Sequence, residues 1–265
     1  MLRESRSSSS FPERLHAPRH ALILLRPFII HVDNGSTLHY NNNTVQFERK
    51  RLHVVIRNTE ILKNFVVFEG LDGSGTTTQL DLLKRRLETV GIPRWCTREP
   101  TRGVVGQLIR DVLSGGVSCE PATLAYLFGA DRWEHVFGAD GVRAHVEAGE
   151  VVASDRYFFS SLAYQSIDVE YDIVDQINAP FPLPEILFFL DVPADVCAER
   201  ISTRRNVEIF ETLPYQTAVD RRYREVLQRH TGHGMQVFVL DGTEDQQKIA
   251  DHIWNEITKL PIFRT

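Results

Sequence analysis

Cysteine is scarce and scattered: the three residues, Cys96, Cys119 and Cys197, form no C-x-x-C pair. That excludes a disulfide framework and a cysteine-built zinc site, and it suits a reducing, cytoplasmic setting. Long apolar runs are also missing. The apolar residues 21–25 and 28–30 are cut by Arg26-Pro27, far short of the roughly 20 residues a membrane-spanning helix needs, so no membrane partner is expected. An excess of positive charge is absent from the body of the chain: residues 1–61 carry nine Lys/Arg and five Asp/Glu, residues 62–265 carry 21 and 30. An acidic body argues against nucleic acid as a partner. The last absence is local. Between Gly70 and Thr78, in the most glycine-rich turn of the chain, there is no lysine.

That turn organises everything around it. An apolar, β-branched run, Phe65-Val66-Val67-Phe68, passes through Glu69 into Gly70-Leu71-Asp72-Gly73-Ser74-Gly75-Thr76-Thr77-Thr78 and then into a helical pattern. Set against the phosphate loop G-x-x-x-x-G-K-[ST], Gly70, Gly75 and Thr77 occupy the two glycines and the hydroxyl, and Thr76 stands where the lysine belongs. Glycines let backbone N–H groups turn in around phosphate oxygens, the helix N-terminus adds positive potential, and Thr77 can offer its hydroxyl to magnesium. Residues 70–78 are therefore the expected ATP-binding loop.

Residues 1–61, with a serine run at Ser7–Ser10, scattered arginines and Asn41-Asn42-Asn43, show no sustained period and read as an appendage. It is expected to be disordered or to stem from an upstream start assignment, with the native chain beginning near Leu62. A transit-peptide reading suits the Arg- and Ser-rich start, but Pro12, Pro18 and Pro27 spoil an amphipathic helix. Beyond it, apolar periodicity predicts helices over 80–90, 104–113, 121–147, 194–203, 215–230 and 244–259, and strands over 65–68, 94–97, 151–154, 185–192 and 236–240. Alternating strands and helices predict an α/β fold with a parallel five-stranded sheet and helices on both faces. Ligands bind beyond the carboxyl ends of such strands. Asp72, Arg98-Glu99, Asp155-Arg156 and Asp241-Gly242 all follow a strand, so four loops deliver charge to one edge.

Four motifs in register sharpen this: Phe68-Glu69-Gly70-Leu71-Asp72-Gly73-Ser74-Gly75, Thr97-Arg98-Glu99-Pro100, Leu127-Phe128-Gly129-Ala130-Asp131-Arg132-Trp133, and Asp155-Arg156-Tyr157 with Ser160-Ser161-Leu162-Ala163-Tyr164-Gln165. In order and spacing residues 64–260 resemble the thymidylate kinases. The resemblance implies a P-loop NTPase-type, nucleoside monophosphate kinase-like domain over 62–265. It also implies transfer of the ATP γ-phosphate to dTMP with Mg2+, and a homodimer packed through helices such as 104–113 and 121–147. Phosphoryl transfer is mostly positioning and charge neutralisation, so the site needs a cradle for each nucleotide. Arg98, Arg110 and Arg156 would clamp the acceptor phosphate. Phe128 would stack on the base, with Arg132, Ser161 and Gln165 at its edge and Tyr164 closing the sugar side. Asp72 and Glu99 would orient the sugar hydroxyl or water around magnesium, and Asp155 would hold the metal with Thr77.

Arg200, Arg204 and Arg205 fall in the segment similar to the family's lid. Together with Ser74, Arg204 and Arg205 place the chain with the branch whose basic residue comes from the lid, where it would neutralise charge the loop lysine otherwise meets. The expected catalytic set is thus Asp72, Glu99, Arg156, Arg204 and Arg205. Ile209 and Phe159 depart from common family residues. Two other readings stand beside this one: a kinase for another nucleotide or nucleoside, and a catalytically silent nucleotide-binding protein, motivated by Thr76.

Overall fold

The computed structural model describes residues 21–25, 28–32, 37–41, 44–48, 56–202, 210 and 212–263. The chain divides into two compact units, Met1–Ile56 and Arg57–Thr265. In the first, strand β1 (Ala21–Leu25) pairs antiparallel with β2 (Phe28–Val32), and β3 (Thr37–Asn41) with β4 (Thr44–Glu48). Regular strands thus occur where the sequence showed no sustained period. Strand β5 (Ile56–Asn58) follows. Within the stretch read as an appendage, Arg57 ion-pairs with Asp175 and the Asn58 backbone N–H donates to the Ala179 carbonyl at 2.7 Å.

The second unit is built on β6 (Ile61–Gly70), β7 (Arg94–Arg98), β8 (Val151–Asp155), β9 (Leu183–Asp191) and β10 (Gln236–Asp241). They form a five-stranded sheet in the order β10-β9-β6-β8-β7, every pair parallel. This is the α/β architecture the alternation of elements predicts. β6 lies in the middle and is buried on both faces. Phe65 and Val67 join Val152, Leu187 and Phe189 in one core; Val66 and Phe68 join Ala153, Ile186 and Phe188 in the other. The period of two splits one apolar run between two cores. β6 starts earlier than expected because a register shift between Leu62 and Val66 accommodates Asn64, at φ 59°, whose amide donates to Glu185 at 2.7 Å.

Helix α1 (Thr76–Thr89) packs Leu80, Leu83 and Leu87 onto the second core, beside Ile249, Ile253 and Ile257 of α9 (Gln246–Ile257). Helix α2 (Val104–Leu113) packs on α3 (Pro121–Phe137) through Ile109, Val112, Leu113 and Leu124. The single helical stretch expected over 121–147 is two helices, α3 and α4 (Val142–Glu147). Gly138 and Gly141 break it: a Cβ on Gly141 would lie 2.8 Å from the His135 carbonyl oxygen, so the chain turns there on residues without side chains. Two short helices, α5 (Phe158–Tyr164) and α6 (Tyr171–Asn178), were not expected. Helices α7 (Ala194–Ser202) and α8 (Leu213–His230) complete the first face. Among the described residues no helix is long and apolar enough to cross a membrane.

Candidate active site

At the carboxyl end of β6 the chain turns through Gly70–Gly75 into α1. Gly73 (φ 87°) and Gly75 (φ 100°) adopt left-handed backbone that side chains disfavour. A Cβ on Gly73 would also sit 2.8 Å from the Cys197 carbonyl oxygen. The turn closes with Ser74 N–H donating to Leu71 O at 3.0 Å. It frames a cavity of about 490 Å³ lined by residues 72–79, Arg98, Glu99, Pro100, Arg110, Leu113, Asp155, Arg156, Leu190, Arg200, Gly242, Glu244, Gln246 and Ile249. A smaller cavity, about 110 Å³, is lined by Asp72, Glu99, Pro100, Leu113, Phe128, Arg132, Arg156, Tyr157, Ser160, Ser161, Tyr164, Gln165 and Phe210. Loops after β6, β7 and β8 supply both, so the strand-edge placement puts the two cavities side by side with a common wall.

The loop end of the larger cavity holds oxygen donors. The Thr77 hydroxyl donates to Asp155 Oδ2 at 2.5 Å, while Asp155 Oδ1 is buried without a hydrogen-bond partner among the described residues. A hydroxyl beside a carboxylate oxygen left unpartnered fits a hard cation such as Mg2+, which keeps several waters and needs only one or two protein ligands. Thr76 is buried, at 5% exposure, and supplies no charge. Among the described residues two cations reach the loop: Arg156, at the Gly70 carbonyl and the Asp72 carboxylate, and Arg200, whose Nη1 donates to Gly73 O at 3.3 Å and Nη2 to Gly242 O at 3.2 Å. Arg204, Arg205 and Ile209 lie outside the described residues.

Of the three arginines expected on the acceptor phosphate, Arg98 is exposed and its side chain has no partner among the described residues. Arg110 turns to the loop after β7, donating to Pro100 O at 3.0 Å and Thr101 O at 2.5 Å. Arg156 sits where the cavities meet, at φ 77°. It ion-pairs with Asp72 at 2.7 Å, donates to Gly70 O and to the Tyr223 hydroxyl at 2.9 Å, and lies 5.6 Å from the Tyr164 ring centroid. Burial opposes its charge, but Tyr223, Tyr164, Asp72 and Glu69 outweigh that and raise its pKa above the ordinary arginine value.

In the smaller cavity Phe128 lines one wall. Gln165 is buried with Oε1 unpartnered among the described residues, an acceptor available to a ligand N–H. Arg132, at 1% exposure, donates to Glu99 at 2.8 Å, to the Ser161 hydroxyl at 3.0 Å and to Asn178. The other Glu99 oxygen meets His135 Nδ1 at 2.9 Å. Burial alone would raise the Glu99 carboxyl; Arg132 and His135 override it and hold the pKa below the ordinary value. Glu99, expected to orient a sugar hydroxyl or metal water, thus has both oxygens engaged by side chains, one by Arg132 of the smaller cavity's lining and the other by His135. The Tyr164 hydroxyl accepts the Asp72 N–H at 3.0 Å.

Sequence reasoning passed over Glu69, His135, Asn178, Phe210, Gln216 and Tyr223. Gln216 donates to Asp72 Oδ2 at 3.3 Å and Phe210 O at 2.8 Å. Glu69 and His135 stood inside or beside quoted motifs, and that proximity was the only available signal. Asn178 and Tyr223 reach the site through distant contacts.

Comparison with known proteins agrees with this geometry. A family model described as thymidylate kinase matches residues 68–253. A protein of Treponema pallidum (strain Nichols) named as a thymidylate kinase is 40% identical over 200 residues, 74% of this chain and 96% of the relative. One of Methanococcus aeolicus is 36% identical, covering 75% and 95%, and one of Aeropyrum pernix is 39% identical, covering 67% and 85%; both carry the same name.

Proposed function

Because the chain belongs to the thymidylate kinase family, we propose that its two joined cavities serve one reaction, transfer of the γ-phosphoryl group of ATP to dTMP. The enzyme is a nucleoside monophosphate phosphotransferase, and it phosphorylates dTMP to dTDP. The observation that carries the division of labour is the common wall. Asp72, Glu99, Pro100, Leu113 and Arg156 line both cavities, so two nucleotides can meet with their phosphates at Arg156.

The backbone of residues 70–78 would cradle the ATP phosphates, with Thr77 and Asp155 as the protein side of a Mg2+ site. When bound, Mg2+ neutralises charge on the transferring phosphates. Arg200, with Arg204 and Arg205 from the following segment, would supply the positive charge Thr76 lacks. Phe128 would stack on thymine and Gln165 Oε1 would accept its N3–H, with Arg132 held at the base edge by Glu99. Arg98, Arg110 and Arg156 would face the acceptor phosphate, whose oxygen attacks the γ-phosphorus as the bond to the β–γ bridging oxygen breaks. ADP leaves with that oxygen, and no covalent enzyme intermediate forms. A homodimer is supported by apolar side chains left on the outer surface of α2 and α3: Val104 is 90% exposed, Tyr126 61% and Trp133 53%. We place the enzyme in the cytoplasm, with its nucleotide substrates.

A coupled assay with ATP and dTMP tests this. Turnover with dTMP is expected to exceed that with dUMP, dCMP or thymidine. Binding of dTMP without turnover, or faster turnover of another acceptor, would overturn the proposal.

A further inference from the structure

Glu69 touches neither cavity, yet its carboxylate is fully buried one residue before the phosphate loop. Oε1 accepts the backbone N–H of Tyr157 at 2.9 Å and of Ser160 at 3.2 Å. Oε2 accepts the Ser160 hydroxyl at 2.6 Å and the Tyr223 hydroxyl at 2.8 Å. Burial pushes the carboxyl up to about 7, while Arg156, Ser160, Tyr223 and the Tyr157 amide pull the other way. A buried carboxylate is costly even when satisfied, and an apolar side chain would fill the space more cheaply.

What the carboxylate accomplishes is visible at Tyr223. That hydroxyl, also fully buried, gives its proton to Glu69 and turns a lone pair to Arg156 Nη1, 2.9 Å away. With Glu69 in place the Ser160 hydroxyl, 2.8 Å from the phenol oxygen, also gives its proton to the carboxylate; without Glu69 the two hydroxyls would be left to each other, and the phenol lone pair would no longer be fixed on the guanidinium. Arg156 needs such support, because its φ of 77° is unfavourable for a residue with a side chain. We propose that Tyr223 and Glu69 are positioning residues that aim the Arg156 guanidinium at the acceptor phosphate, Tyr223 by direct contact and Glu69 by fixing the direction of the Tyr223 hydroxyl. This rests on the reading of Arg156 as an acceptor clamp. It adds a device on α8, the helix that follows the lid segment, where Gln216, seven residues earlier, holds the paired Asp72.

Tyr223→Phe removes one oxygen and keeps the ring's packing. It is expected to lower kcat/KM for dTMP about tenfold, the scale of one lost hydrogen bond to a charged group, while KM for ATP stays within about twofold. Glu69→Gln, which leaves the Tyr223 hydroxyl free to donate elsewhere, should shift the same parameters in the same direction. If Glu69→Gln does not accumulate as folded protein, Tyr223→Phe decides alone. The control is Arg156→Gly, whose backbone accepts the left-handed φ. In that background Tyr223→Phe should cause no further loss, because its target is gone. An unchanged kcat/KM in Tyr223→Phe, or an equal loss with and without Arg156, would overturn the proposal and leave Tyr223 a packing residue. Arg156→Gly with wild-type dTMP kinetics would instead sink the clamp reading, and the positioning role with it.

Discussion

Glu99→Gln perturbs the most deeply buried charge pair of the site. The side chains of Glu99 and Arg132 are 2% and 1% exposed, and their closest approach is 2.7 Å. Glutamine keeps the shape and one acceptor but strands the guanidinium charge in a dry site. Removing one partner of a buried pair costs about 3–5 kcal/mol. The retained amide oxygen, with Ser161 and Asn178 still in place, argues for the low end, about 3 kcal/mol. In a domain of about 200 residues each kcal/mol moves the melting temperature by roughly 2–4 °C, so a fall of about 6–12 °C is expected, read by circular dichroism at pH 7.

The acid limb gives an independent check. With its folded pKa below the ordinary 4.5, Glu99 contributes stability that is present above pH 4.5 and lost as pH falls through the folded value. The gap between wild type and variant should therefore narrow below pH 4.5. Replacing both partners, Glu99→Leu with Arg132→Met, should recover stability relative to Glu99→Gln while abolishing dTMP binding. An unfolding free energy for Glu99→Gln within about 0.5 kcal/mol of wild type, or a double variant less stable than the single one, would refute the reasoning.

Arg204→Ala with Arg205→Ala should collapse kcat and leave dTMP affinity nearly intact, by initial rates and dTMP titration; an unchanged kcat would leave Arg200 as the cation serving the loop. His230 is buried beside Phe158 and Phe159 and donates Nδ1–H to Val226 O at 2.8 Å. Burial, with Arg57 nearby, pushes its pKa down to about 3. The unfolded chain binds that proton first, so stability present above pH 6.5 should fall by about 1.4 kcal/mol per pH unit as the pH drops toward 3. His230→Gln should flatten that slope in urea titrations between pH 6.5 and 4.

Legibility followed the range of the forces. The β6 run, the glycine turn and α1 were readable because strand alternation, left-handed glycines and helical spacing act over a few residues. The break at Gly138 and Gly141 was hidden inside a pattern that stays apolar on both sides. α5 escaped because its seven residues, Phe158–Tyr164, make only about two turns, too few for a helical period to show. The site divides the same way. Candidate residues stood out where they followed strands, and the geometry assembles Phe128, Arg132, Ser161, Tyr164 and Gln165 around one cavity. The partners that hold them did not stand out: Asn178 lies 46 residues from Arg132 and Tyr223 lies 154 from Glu69. Only tertiary packing brings such pairs together.

The wall common to the two cavities imposes a thermodynamic relation between them. With one nucleotide in each cavity, as proposed, Asp72 and Arg156 could not relax toward one without altering what the other meets, and the two binding free energies would be linked. Whatever factor ATP imposes on the equilibrium affinity for dTMP, dTMP must impose on the affinity for ATP. That reciprocity makes the empty-site affinities a poor guide to either nucleotide's hold in the ternary complex.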